Sequence, residues 1–424
     1  MKTCMLSFHC CPYSLLGGNG SGGMSVYLRE LSSALTSYPE VKIDIFTRIQ
    51  DSSIRGIKNI SPHIRIVHLK GGPERELDRK GLYSYLPQFL RNMDRFICQE
   101  NKGYDIIHSH YWLSGLVGEW MKHRFGYPHV HTYHTLGFLK QKVFSQEEHP
   151  ARMKSEQHLA QAVDKIISPS AEEKDELLKE YGIPSSKVKV VFPGVNGALF
   201  SPIQNHEIFR ESRNEHTILY IGRIDPIKGL MTIIEALNEL REKNKDLFNS
   251  VKLVVIGGGE KEKEMPLNSE AVRVLRAVEQ RKLADKIQFL GSKKHHELRP
   301  YYSSADVLIV PSLYESFGLV TIEALACGTP VIVSRVGKMK TIIEEGKNGF
   351  SFRPNDPNSL SACLEHFFKH NDQLWNRQRI RRDVLERFSW EQTARKIYVV
   401  YAGLVGRSKY PTTISQPDEI LPPA

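Results

Sequence analysis

Short runs rich in β-branched and aliphatic residues alternate along the chain with stretches whose apolar positions recur every three or four residues. In the first half the short runs are Thr3–Phe8, Lys42–Thr47, Arg65–Leu69, Asp105–Ser109, His129–Thr132, Lys165–Ser168 and Val188–Phe192, and they predict strands. Helical periodicity lies between them, as at Met24–Ser37 and Glu172–Tyr181. This alternation predicts a parallel sheet covered by helices on both faces. The pattern then restarts, with strands expected at Thr217–Ile221, Val251–Ile256, Ile287–Leu290, Val307–Val310 and Val331–Ser334. Helices fit at Leu230–Arg241, Glu270–Leu283 and Gly318–Cys327. Pro193-Gly194-Val195-Asn196-Gly197 separates the two series with the content of a linker. Two α/β domains are therefore expected, meeting near residues 194–212. Ligands of open α/β sheets bind beyond the carboxyl ends of the strands, so two such domains facing one another predict a deep cleft.

Four motifs fall at strand ends. Gly17-Gly18-Asn19-Gly20-Ser21-Gly22-Gly23 lies between the first strand and the first helix. Glycines allow close backbone approach, and a helix start offers free N–H groups, so a phosphate or polar sugar fits there; a plain turn is the alternative. It is neither a dinucleotide fingerprint nor a phosphate loop of the G-x-x-x-x-G-K-[ST] type. Gly222-Arg223-Ile224-Asp225-Pro226-Ile227-Lys228-Gly229 follows the first strand of the second series. Two cations beside a helix start suit a diphosphate, Arg through forked hydrogen bonds and Lys as a point charge. Tyr314-Glu315-Ser316-Phe317-Gly318-Leu319-Val320-Thr321-Ile322-Glu323 carries two carboxylates with seven residues between them. Its backbone N–H groups at Phe317, Gly318 and Leu319 and its carboxylates suit sugar and ribose hydroxyls. Last, His108, His110, His129, His131 and His134 cluster at two strand ends. They show no metal-ligand spacing and are expected to line a cleft.

Together these residues resemble glycosyltransferase family 4, the retaining enzymes of the GT-B fold, from about Met1 to Leu404. Glu315 and Glu323 match the family's E-x7-E motif, and Arg223 and Lys228 its diphosphate-binding pair. The loops at Gly22-Gly23-Met24, His108–Gly115 and His131–Leu136 look most like the branch of D-inositol 3-phosphate glycosyltransferases and sucrose-phosphate synthases. The resemblance implies two Rossmann-like domains with a central cleft and a C-terminal crossover helix. The acceptor domain would be 1–197 with the crossover helix 390–405, the donor domain 198–389, and 406–424 a flexible tail. It also implies a nucleotide-sugar donor, UDP-glucose or UDP-N-acetylglucosamine, and a small phosphorylated acceptor, with neither cofactor nor metal. Arg223, Lys228, Glu315 and His131 would be catalytic. Gly22, Gly23, Ser316, Phe317, Gly318, Leu319, Val320 and Glu323 would bind donor, with Glu323 on the ribose. Ser25, Lys80, Tyr111, Thr132 and Arg152 would bind acceptor, the last four at its phosphate. Transfer would proceed on the front face, with Glu315 on sugar hydroxyls rather than acting as nucleophile. Two departures stand out: Ser25 replaces an Asn of the inositol enzymes, and Gly337-Lys338-Met339 replaces a Gly-Gly-Leu-like turn.

Composition narrows the alternatives. The 424 residues are 40% hydrophobic, enough to fill two cores. A formal net charge of +10 favours anionic partners, nucleotides and acidic membrane surfaces among them. No recognition helix or aromatic-basic module points to nucleic acid. Six cysteines without paired spacing predict reduced thiols of a cytoplasmic protein. No run reaches the ~18 apolar residues of a membrane span, so no stable insertion is expected. A peripheral-membrane transferase acting on lipid-linked or polysaccharide acceptors is the alternative, with Tyr83–Phe96 as its candidate amphipathic helix. A sugar-binding protein or an epimerase on the same fold is the third reading. The oligomeric state is left open, a homodimer included.

Overall fold

The computed structural model of the protein describes residues 1–13, 22–77, 81–101, 103–144, 148–203, 208, 215–258, 269–337, 339–369 and 375–406. The predicted tail beyond 406, Gly17–Ser21, Lys80 and Lys338 lie outside these residues. The chain divides into two compact units, Met1–Phe192 with Trp390–Ala424, and Pro193–Ser389.

The first unit holds an eight-stranded sheet. Its strands are β1 (Lys2–Leu6), β2 (Lys42–Arg48), β3 (Gly56–Ser61), β4 (Ile64–Leu69), β5 (Ile106–His110), β6 (His129–Thr132), β7 (Lys165–Ser168) and β8 (Val188–Val190). They are ordered β3-β4-β2-β1-β5-β6-β7-β8. All neighbours run parallel except β3 and β4, a departure from the fully parallel expectation. The interior strands β5 and β6 are buried throughout, although IIHSH and HVHT carry histidines and hydroxyls among their aliphatic residues. β3 escaped prediction because its sequence, GIKNIS, is mostly exposed and lacks an alternating apolar face.

Local signals set the helices of this unit. Ser170 caps the helix Ala171–Tyr181 by accepting from Glu173 N at 3.0 Å, and Gly182 ends it at φ 61°. The helix Trp112–Phe125 ends at Gly126, with Lys122, His123 and Arg124 in its last turn against the negative end of the dipole. Leu86, Phe89, Leu90, Met93 and Ile97 of the helix Leu86–Glu100 are buried in the core, and Tyr85 and Phe96 pack against it. The apolar face of the candidate membrane helix is thus spent on packing. The terminal helix Trp390–Val405 belongs to this unit, with Trp390, Ala394, Ile397 and Tyr401 in its core.

The second unit holds six parallel strands, β9 (His216–Ile221), β10 (Val251–Ile256), β11 (Ile287–Phe289), β12 (Val307–Val310), β13 (Val331–Ser334) and β14 (Gly349–Phe352). Their order is β11-β10-β9-β12-β13-β14, the doubly wound arrangement of dinucleotide-binding folds. β14 was missed in sequence because it is four residues long and opens on glycine. Among the described residues no helix is long and apolar enough to cross a membrane.

Candidate active site

In the second unit the strand order reverses between β9 and β12, where such sheets bind ligands. The loops leaving these two strands carry Arg223, Lys228 and Glu315. Asp225 Oδ1 accepts from Ile227 N at 3.0 Å and opens a single turn that ends on Lys228. Leu313 N then donates to Ile227 O at 2.8 Å, tying the second loop to the first. Gly229, at φ 68°, allows this approach: a Cβ there would lie 2.1 Å from Pro311 O. The outcome is a Lys228 Nζ–Glu315 Oε2 pair at 2.5 Å, with Ser312 Oγ also donating to Glu315 at 3.3 Å. The Glu315 side chain is 15% exposed, so two partly desolvated opposite charges neutralise each other. Arg223 stands more openly, its side chain 62% exposed and paired with Asp225 at 3.2 Å.

The loop continues through Ser316, whose hydroxyl meets Tyr314 OH at 3.0 Å, and the buried Phe317, packed edge-on to Phe388. Gly318, at φ 85°, precedes the helix Leu319–Ala326, and Leu319 and Val320 form its partly exposed start. Glu323 sits on the buried side of that helix. Its Oε1 meets His295 Nε2 at 2.8 Å and its Oε2 accepts from Tyr302 OH at 2.8 Å. The E-x7-E spacing therefore yields two different carboxylates, one beside a cation in a loop and one braced in the interior. Sequence reasoning missed Tyr302 and His295, which lie 21 and 28 residues from Glu323 with no local signal linking them.

The first unit reverses its strand order between β1 and β5. Gly22 and Gly23 are exposed at the start of the helix Gly23–Leu35, which has no side-chain cap among the described residues. The histidines do not line an open surface as expected: His108, His110, His129 and His131 are fully buried. Pairing of β5 with β6 sets Ser109 opposite His131. Ser109 Oγ bridges His131 Nδ1 at 2.7 Å and His129 Nε2 at 2.6 Å. Gly115 and Gly118 let the helix Trp112–Phe125 lie directly on these two rings. A Cβ at Gly115 would meet His131 at 2.9 Å, and one at Gly118 would meet His129 at 2.4 Å. His131 Nε2, His129 Nδ1 and His110 Nε2 are buried with no hydrogen-bond partner among the described residues. Burial pushes His131 and His134 down to about 3, and also depresses His108, His110 and His129, so these rings are neutral at physiological pH.

Alternation along β6 puts Thr132 on the opposite face from His131. Its hydroxyl meets His108 Nε2 at 2.8 Å, and His108 Nδ1 meets Tyr401 OH at 2.6 Å. Ser25 is also buried and its hydroxyl donates to Cys10 Sγ at 3.5 Å, so neither hydroxyl is presented at a surface. Tyr111 adopts φ 74°, rare for a residue with a side chain, at the junction of β5 and the next helix. The Arg152 guanidinium lies over its ring at 5.1 Å. Arg152 is buried, with Nε on Glu156 at 2.7 Å, one terminal nitrogen on Glu148 at 3.1 Å and the other on Thr135 O at 2.9 Å. Burial is the largest single influence and opposes its charge, but Glu156, Tyr111 and Glu148 together outweigh it and hold its pKa above the ordinary range. Arg152 and Tyr111 are thus brought together.

Comparison with known proteins completes this picture. The family described as "Glycosyltransferase Family 4" matches residues 21–198, and "Glycosyl transferases group 1" matches residues 203–383. A D-inositol 3-phosphate glycosyltransferase from Streptosporangium roseum is 31% identical over 95% of this chain and 93% of its own. A sucrose-phosphate synthase from Thermosynechococcus elongatus superposes with a TM-score of 0.85 at 30% identity, over 96% of this chain and 100% of its own. HepE from Anabaena, solved with UDP and glucose, shares the fold at a TM-score of 0.75 and 17% identity, over 95% and 100% of the two chains.

Proposed function

The chain belongs to glycosyltransferase family 4, and from that premise we propose that it moves a hexosyl group, glucose or N-acetylglucosamine, from a UDP-sugar to a small phosphorylated polyol or sugar, with retention at the anomeric carbon. The observation that carries the reading is the Lys228–Glu315 pair at the strand-order reversal of the second unit. A diphosphate leaving group develops negative charge as the glycosidic bond breaks. Lys228, and Arg223 of the same loop, supply positive charge for that moment, and preorganised charge needs no reorganisation as the reaction proceeds. Glu315, next to Lys228, accepts hydrogen bonds from sugar hydroxyls. His131, fully buried and neutral, is held by Ser109 inside the first unit and is assigned no contact with the transferred sugar. Glu323 takes the ribose hydroxyls, braced by Tyr302 and His295.

The acceptor class rests on Arg152 and Tyr111 and on the relatives, whose names carry inositol 3-phosphate and sucrose phosphate. The cytoplasm, where nucleotide sugars are used by enzymes of this kind, is the proposed location. The test is UDP release from UDP-glucose and from UDP-N-acetylglucosamine, each with and without inositol phosphate or fructose 6-phosphate. Release that rises strongly with one phosphorylated acceptor establishes the reading; donor binding without stimulated release sinks the acceptor class. Arg152→Ala is expected to raise acceptor KM far more than donor KM, and equal effects on both would remove Arg152 from the phosphate site.

A further inference from the structure

The two carboxylates on Arg152 are held in different ways. Glu156 is fully buried and anchored on several sides: besides Arg152 it accepts from Gly137 N at 2.8 Å and from Tyr181 OH at 3.3 Å. Glu148 is on the outside, its side chain 23% exposed. Its recorded partners among the described residues are two cations, Arg152 at 3.1 Å and Lys140 Nζ at 3.7 Å. Glu156 is part of the interior, whereas Glu148 is a monovalent anion seated between two cations at the edge of the protein. It also immediately precedes the start of the helix Pro150–Ala162, where the dipole favours negative charge. The Thr135 hydroxyl lies 3.2 Å from the same guanidinium.

We infer that Glu148 is an anion placeholder: its carboxylate occupies the position between Arg152 and Lys140 that the acceptor's phosphate takes, and it must swing out for the acceptor to bind. The inference rests on the reading of Arg152 as a phosphate-binding residue and adds to it Lys140 as a second cation and Glu148 as the group that sets acceptor affinity. Without a phosphate, the two cations are neutralised by Glu148 and Glu156. With one, a dianion replaces a monoanion beside two cations and a helix start. The exchange favours phosphate over neutral sugars, which bring no charge to replace the one displaced.

The test is titration of the full chain with inorganic phosphate by calorimetry, comparing wild type with Glu148→Gln, Lys140→Met and Arg152→Ala. Glu148→Gln is expected to bind phosphate roughly three- to tenfold tighter, as removal of a partly exposed ion-pair competitor would give. Lys140→Met in the Glu148→Gln background should cancel that gain. UDP binding should not change with Glu148→Gln. Unchanged or weaker phosphate binding by a folded Glu148→Gln overturns the placeholder, and if Arg152→Ala still loses binding, the phosphate site itself stands. Phosphate binding indifferent to Arg152→Ala, or absent from every form, overturns the site and the placeholder together. Lys140→Met alone, at a partly exposed side chain, carries the comparison if Arg152→Ala does not fold.

Discussion

The two sheets reverse their strand order in the same way, yet the residues at the two reversals have little chemistry in common. At β9 and β12 the loops bring forward formal charges: Lys228 against Glu315 and Arg223 against Asp225. Beside the reversal in the first unit, β5 and its neighbour β6 carry buried imidazoles and hydroxyls, neutral and tied by hydrogen bonds of 2.6–2.8 Å. One topology therefore brings charges forward at one reversal and keeps neutral groups in the interior at the other, where a full charge would cost desolvation without gain.

The largest effect is expected where the charged reversal acts. Lys228→Met should lower the rate of UDP release in the transfer assay by about 10²–10³-fold, the usual consequence of removing one preorganised donor from developing charge. Retention of activity within tenfold would mean that the pair at β9 and β12 serves packing, and the contrast between the two reversals would lose its functional meaning.

Acid should separate the units in the opposite sense. His131 and His134 are held down to about 3 by burial, against ~6.5 in an unfolded chain. The unfolded first unit therefore binds protons that the folded one refuses. The stability associated with these neutral rings is complete above ~6.5 and is lost as pH falls from there toward 3, at up to about 1.4 kcal/mol per pH unit for each histidine. His108, His110 and His129, also depressed by burial, add in the same direction. Trp112 and Trp120 report the first unit and Trp375 the second, so urea unfolding of single-tryptophan variants at pH 7.5 and pH 5 distinguishes them. The first unit's midpoint should fall markedly more; equal falls in both would show that the histidine cluster is not what acid attacks.

These comparisons also show what the sequence could reveal. Parallel strands buried on both faces announce themselves as apolar runs, so β10, β12 and β13 were read with the boundaries observed; β6 and β7, with fewer aliphatic residues, were read with theirs as well. The exposed edge strand β3 has no such pattern. The placement of Lys228 and Glu315 in loops leaving two strands was legible, because each follows an apolar run closely. The burial of the histidines was not legible, because it depends on Gly115 and Gly118 admitting a helix onto rings from another strand. Nor was the engagement of Arg152 by Glu148 and Glu156. Their i, i+4 spacing permits it, but only the fold decides whether such a cation faces water or the interior.

A smaller effect tests how the charged loops are held. Gly229→Ala would force a side chain into φ 68° and against Pro311 O, and should cost about 3 kcal/mol of the second unit's stability. Thermal unfolding should show the loss. A wild-type melting temperature would mean that the two loops separate easily, and that the Lys228–Glu315 contact is not held by this approach.

The smallest effect divides the charged reversal itself. Lys228 and Glu315 sit in partly exposed loops, whereas Glu323 receives Tyr302 OH and His295 Nε2 in the interior. If Glu323 is fixed by these two groups to receive ribose, loosening it should impair binding of the donor more than the chemical step. Tyr302→Phe removes one hydrogen bond to a buried carboxylate, worth about 1.5–3 kcal/mol, and leaves the ring packed against Phe200. The expected result is a lower melting temperature and a donor KM raised a few-fold, with kcat nearly unchanged. Lys228→Met should give the reverse, a collapse in kcat with a modest change in KM, because its charge is needed most when the leaving group forms. A fall in kcat with Tyr302→Phe comparable to that with Lys228→Met would place Glu323 among the groups that act in the transition state, and the division of the two carboxylates into a working one and a braced one would fail.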